Sequence, residues 1–141
     1  MKGNKAYLQA QSLLNRLYRE QKSLNYEDER SLYEKYLKIL KKSAYSGNSK
    51  AQFELALQYE DVYIFGINPH VNPKKSFYWY KKALDGNIPE AYNNLALLYE
   101  KGNGCPKDLE TALCLYRKSA DLGCDLGIKN YKLLIKQIKS K

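Results

Sequence analysis

An all-α fold, a solenoid of stacked α-α hairpins, is predicted by three observations. A pattern of small and large apolar residues recurs along the chain, each recurrence contains two stretches of helical periodicity, and glycine, asparagine and proline mark the breaks. Ala51, Leu55, Ala56 and Tyr59 return 40 positions later as Ala91, Leu95, Ala96 and Tyr99. A second block, Tyr80-Lys81-Lys82-Ala83, returns 36 later as Tyr116-Arg117-Lys118-Ser119 and stands 40 earlier, weakened, as Leu40-Lys41-Lys42-Ser43. A unit of that length holds one helix-turn-helix, which cannot bury its own apolar faces and is stable only when copies stack.

The elements follow in order. Ala10, Leu14 and Tyr18 fit a first helix and the stretch 33–44 a second, in a divergent copy over about 10–50. The next copy, 51–90, begins with the helix of Ala51, Ala56 and Tyr59; its alanines let a neighbouring helix approach and its tyrosine fills the space beside them. Asn72-Pro73 offers an N-cap followed by proline at the first helical position. In the copy over 91–126, Gly102-Asn103-Gly104-Cys105-Pro106 is the turn inside the hairpin and Asp108 the cap of its second helix. Gly47, Gly86 and Gly123 are expected to end the second helices in a left-handed conformation. A last helix over about 127–139 sets Ile128, Tyr131, Ile135 and Ile138 on one face and four lysines on another, as a terminal cap requires. The whole chain, 1–141, is read as one domain.

Ala91, Leu95, Ala96, Tyr99, Gly102, Gly104, Asp108, Ala112, Tyr116, Ala120 and Gly123 together resemble the Sel1-like repeat, a relative of the tetratricopeptide repeat. The copy at 51–86 keeps Leu55, Ala56, Tyr59, Trp79, Tyr80 and Ala83 but has a longer loop and no G-x-G. The resemblance implies a right-handed superhelix whose first helices line the concave side, and a role as a protein-binding adaptor, without cofactor.

Composition limits the alternatives. At 44% hydrophobic and 28% charged, the 141-residue chain is expected to fold. No secretory signal is read at the start, and no run approaches the ~18 apolar residues of a membrane span, so a cytoplasmic place is expected. Cys105, Cys114 and Cys124 match no metal-ligand spacing and are read as reduced, small apolar residues. Catalysis is not expected: His70 has no second base in view, Gly102-x-Gly104 follows a helix instead of a strand, and Glu60 and Glu100 are equivalent positions of successive copies.

Two features remain as binding candidates. The first is the apolar loop 61–70, with Phe65 at its centre, which either folds back or meets a partner. The second is the first-helix face that the resemblance puts on the concave side: Arg16 and Arg19, Phe53, Leu57 and Glu60, Asn93, Leu97 and Glu100, then Lys129 and Leu133. Apolar residues ringed by charge suit a protein ligand. The net charge of +9 gives the partner an acidic sign. The functional expectation is a non-catalytic module that binds and neutralises or regulates one protein, in the manner of bacterial immunity proteins that use this repeat. A nucleic-acid-associated repeat protein is the alternative, from the charge and the 14 tyrosines. A third reading is β-lactam hydrolysis of the kind associated with secreted relatives, but those carry paired cysteines in every repeat and this chain does not.

Overall fold

The computed structural model describes residues 3–60 and 70–141. Seven α-helices follow one another among them: α1 (Asn4–Glu20), α2 (Tyr26–Tyr45), α3 (Ser49–Gln58), α4 (Pro73–Ala83), α5 (Pro89–Lys101), α6 (Leu109–Asp121) and α7 (Asp125–Lys139). A 3-10 turn, Leu84–Gly86, follows α4, and there is no strand among the described residues. Helices α1 and α2, α3 and α4, and α5 and α6 pack as antiparallel pairs, each pair rests on the next, and α7 covers α5 and α6. The chain is therefore an α-α hairpin solenoid.

Local chemistry sets the boundaries. Asn72 and Asp108 accept amide hydrogen bonds from Lys75 and Thr111, and Pro73 opens α4; Asn25 and Asn48 cap α2 and α3 in the same way. Gly47 and Gly123 end α2 and α6 at φ of +92° and +91°. Gly86 departs from expectation: the left-handed residue there is Asn87, at φ +49°. Glycine is required at 86 for space, since a Cβ would come within 2.4 Å of the Ser49 Cβ.

Repetition in the sequence becomes repetition in the core. Ala51, Leu55 and Ala56, and their counterparts Ala91, Leu95 and Ala96, are all buried. Tyr59 is buried too, whereas Tyr99 is half-buried at the seam of the two apolar clusters, edge-on to Phe77 with ring centres 5.3 Å apart. Tyr80 and Tyr116 are fully buried and each donates its hydroxyl hydrogen to the glutamate that follows its own first helix or ends it, Tyr80 to Glu60 and Tyr116 to Glu100 at 2.6 Å. The carboxylate pair noticed in the sequence is thus one tyrosine-glutamate bond made twice.

Both ends of the stack differ from the expected pattern. In α1 the buried stripe is Ala6, Ala10 and Leu17, and Tyr18, about 100° further round the helix, is 52% exposed. In α7 the buried residues are Gly127 and Leu134, while Ile128 and Ile138 are exposed. Gly127 lies so close to α6 that a Cβ would meet the Ser119 Oγ at 2.4 Å, which turns the isoleucine side partly away from the core. Cys105 is half-buried, Cys114 exposed and Cys124 buried, and all three are free thiols. No described helix is long and apolar enough to cross a membrane.

Candidate protein-binding face

The first helices α1, α3, α5 and α7 carry the candidate residues, and their registers decide which remain available. Leu57, Leu97 and Leu133 occupy the same position of α3, α5 and α7. Leu57 is half-buried against the main core, whereas Leu97 and Leu133 are 42% and 49% exposed. Four residues earlier stand Phe53, Asn93 and Lys129. Phe53 is half-buried with its ring centre 5.8 Å from that of Tyr80, and Lys129 is exposed. Asn93 is buried; it donates to Asn94 at 3.1 Å and accepts from Asn130 of α7 at 2.9 Å. Its amide holds the next first helix in place.

Polar bonds link the other first helices as well. Glu54 of α3 accepts from Tyr7 at 2.7 Å and from Gln11 at 2.6 Å, both on α1, and from Tyr36 of α2 at 3.4 Å. Asn94 of α5 donates to the Tyr80 hydroxyl at 3.1 Å. Burial, and after it the neighbouring carboxylates, hold the Tyr7, Tyr36, Tyr80 and Tyr116 hydroxyls above their ordinary range, so they act as donors throughout the physiological range.

Glu60 and Leu97 come together at a cleft of about 200 Å³ where the end of α3 meets α5; Tyr59, Val71, Leu98 and Lys101 also line it. Arg16 and Arg19 lie apart from this cleft on α1, where they contact Glu20 at 3.0 and 3.5 Å. Phe65 and the rest of the 61–69 stretch lie outside the described residues. Val71 and Lys101 were not singled out from the sequence; Lys101 follows directly on a repeat glutamate, but nothing local marks Val71, which reaches the cleft from the loop before α4. His70 bonds Glu34 at 2.9 Å on α2, away from this face. No group of three histidine, cysteine or acidic side chains is placed to hold a metal ion among the described residues.

Burial raises the Glu60 carboxyl above its ordinary value of 4.5, opposed in part by the Tyr80 hydrogen bond. A carboxyl raised in the folded state contributes stability that is complete below its unfolded value and is lost as pH climbs through its folded value. Glu60→Gln is therefore expected to flatten that part of the stability-pH curve and leave the chain no less stable at neutral pH. Melts across the acid-to-neutral range check this, and a lower neutral Tm would show that the tyrosine bond outweighs the burial.

A family model described as the Sel1 repeat matches residues 49–87 and 89–124, the two hairpins from α3 to α6. The chain belongs to the Sel1 repeat family. Sel1 repeats mediate protein-protein interaction. Over 85 residues, 60% of its length, the chain is 31% identical to the DAP3-binding cell death enhancer 1 of Rattus norvegicus, of which it spans 16%. A crystallised Sel1 repeat protein from Oxalobacter formigenes superposes with a TM-score of 0.62 at 31% identity, over 70% of this chain and 38% of that one. A protective antigen of uropathogenic Escherichia coli strains, which displays the Sel1-like fold, gives 0.70 at 19% identity, over 91% and 26%. The chain thus spans less than half the length of each of these three proteins.

Proposed function

We propose that the chain binds one protein partner, without catalysis, through its first-helix face, and that the partner presents an acidic segment with apolar side chains. The observation that carries this reading is the leucine register: Leu97 and Leu133 stand exposed at one position of neighbouring first helices, with Leu57 behind them and Lys101 and Lys129 beside them. An apolar centre with a charged rim is the composition of a protein interface. The relative named for binding DAP3 agrees with a protein ligand. Phe53, Asn93, Glu60 and Glu100 support the face from within; Arg16 and Arg19 extend its positive charge to α1.

The test uses the partner recovered by native pull-down and then purified. Leu97→Asp with Leu133→Asp is expected to weaken binding at least about 30-fold, the scale of losing one hot spot near 2 kcal/mol. Lys101→Glu with Lys129→Glu, and Arg16→Glu with Arg19→Glu, should act chiefly on the association rate and lose their effect at high salt. An affinity changed by less than about twofold in the double aspartate variant, with its helical spectrum intact, would exclude the leucine ridge as the interface. Regulation or neutralisation of the partner, including an immunity role, is decided by whether the complex suppresses the partner's own activity.

A further inference from the structure

The second helices carry a feature that the first-helix face leaves unused. A basic pair stands at the same position of three successive hairpins: Lys41-Lys42 on α2, Lys81-Lys82 on α4 and Arg117-Lys118 on α6. All but Lys41 are exposed. No lysine takes part in an ion pair among the described residues, where the pairs are those of Glu20 with Arg16 and Arg19, and of Glu34 with His70. A basic residue in the last turn of a helix has a local explanation in the helix dipole, about 0.3–1 kcal/mol. That explanation does not extend to the rings set among these lysines.

Between α2 and α4, Lys42, one helical turn before Tyr45, and Lys82 flank an aromatic seam. Tyr45, 75% exposed, and Tyr78, 49% exposed, each meet the buried Trp79 edge-on with ring centres 5.0 Å apart. The Lys82 ammonium lies 5.7 Å from the centre of the Tyr78 ring. These groups border a depression of about 300 Å³, with Gln52 and Asp85 also in its lining. Tyr45 and Tyr78 lie outside the two apolar clusters; the edge-on contacts with Trp79 hold both rings in place and leave most of Tyr45 and about half of Tyr78 open to solvent.

We propose that this second-helix face binds single-stranded nucleic acid, with phosphates on the basic pairs and an unpaired base against Tyr45 or Tyr78. Lysine is a point charge on a flexible stem, suited to a phosphodiester backbone without demand on sequence. An exposed ring offers a stacking surface to any base that is not already paired. The pairs stand one hairpin apart at the same register of α2, α4 and α6, and Tyr45 of α2 touches Trp79 of α4, so the basic positions follow one another along the stack in a path that an extended strand can track. An acidic polypeptide would satisfy the lysines but make no such use of the rings. This face is separate from the leucine ridge, and the two proposals stand or fall independently.

The experiment is fluorescence anisotropy of the full chain with a labelled 20-nucleotide oligothymidylate, with poly-glutamate and the matching duplex as competitors. If about four phosphates are contacted, the slope of about −0.7 per phosphate predicts an affinity loss near 50-fold between 50 and 200 mM salt. Tyr45→Ala with Tyr78→Ala should weaken oligonucleotide binding by about 10-fold or more. Lys42→Glu, Lys82→Glu and Lys118→Glu combined should abolish it. Lys132→Glu, Lys136→Glu and Lys139→Glu on α7 change the net charge equally and should leave most of the binding; circular dichroism confirms that each variant is folded. The proposal is overturned if no binding is seen at 50 mM salt, or if the α7 variant loses as much as the second-helix variant. It is overturned as well if poly-glutamate or duplex competes as well as single strand, or if the tyrosine variant binds unchanged.

Discussion

Tyr116→Ala is expected to destabilise the fold by about 3–5 kcal/mol, the cost of removing a large aromatic from a packed interior. Tyr116 is fully buried in the smaller apolar cluster, with Ala96 of α5, Ala112 of α6 and Leu134 of α7. Its ring is what those three helices share, so its loss should loosen α7 first. Tyr116→Phe keeps the ring and gives up only the hydrogen bond to Glu100, for which about 0.5–1.5 kcal/mol is expected. Urea unfolding followed by circular dichroism, with hydrogen exchange reporting on α7, measures both. Equal and small losses for the two variants would mean that this ring does not hold α7 to the stack.

Gly104→Ala should be nearly as damaging, although it adds one methyl group on the surface of a turn. Gly104 has φ of +78°, and a Cβ built on it would lie 2.3 Å from the carbonyl oxygen of Pro73 and 2.5 Å from its carbonyl carbon. Those are backbone atoms at the start of α4, which cannot swing aside as a side chain can. A left-handed residue costs about 1–2 kcal/mol and an overpacked contact about 1–3 kcal/mol, giving roughly 2–5 kcal/mol in total. Gly123→Ala is the control: its φ is +91° but nothing lies within 4 Å of the added carbon, so only the conformational part should appear. If the two variants melt together, the turn between α5 and α6 does not dock on α4 as tightly as the structure shows.

The glycine comparison separates what a residue pattern can say from what it cannot. Gly102-x-Gly104 is legible as a turn from the sequence, and so are the caps at Asn72 and Asp108, because each depends on a few neighbours in the chain. The contact between Gly104 and Pro73 joins residues of different hairpins, and no local pattern reports it. Gly86 shows the limit from the other side: its place after α4 suggested a left-handed ending, but that role falls to Asn87 and the glycine answers to Ser49, across the hairpin.

The candidate face divides in the same way. Repetition set Leu57, Leu97 and Leu133 on one register, and Phe53, Asn93 and Lys129 on another, since equal positions in equal hairpins face equal directions. How far each is covered depends on the helix beside it. Asn93 is buried because Asn130, 37 residues on, reaches back to it from α7, while Lys129 has no described helix beyond it. The exposed Tyr45 and Tyr78 belonged to no repeat position; Tyr78 precedes Trp79 in the chain, whereas only the approach of α2 to α4 brings Tyr45 to the same tryptophan.

By itself the sequence determined the all-helical hairpins, their order, the caps at Asn72 and Asp108 and most of the alanine and tyrosine positions of the core, because these follow from periodicity and repetition along the chain. Tertiary structure alone decided which members of each repeated set stay open to a partner, which glycines are needed for space, and which rings meet between hairpins. The physical reason is that helical period fixes the direction of a side chain about its own axis, whereas burial depends on a second helix whose distance and tilt are set by all the residues packed between the two.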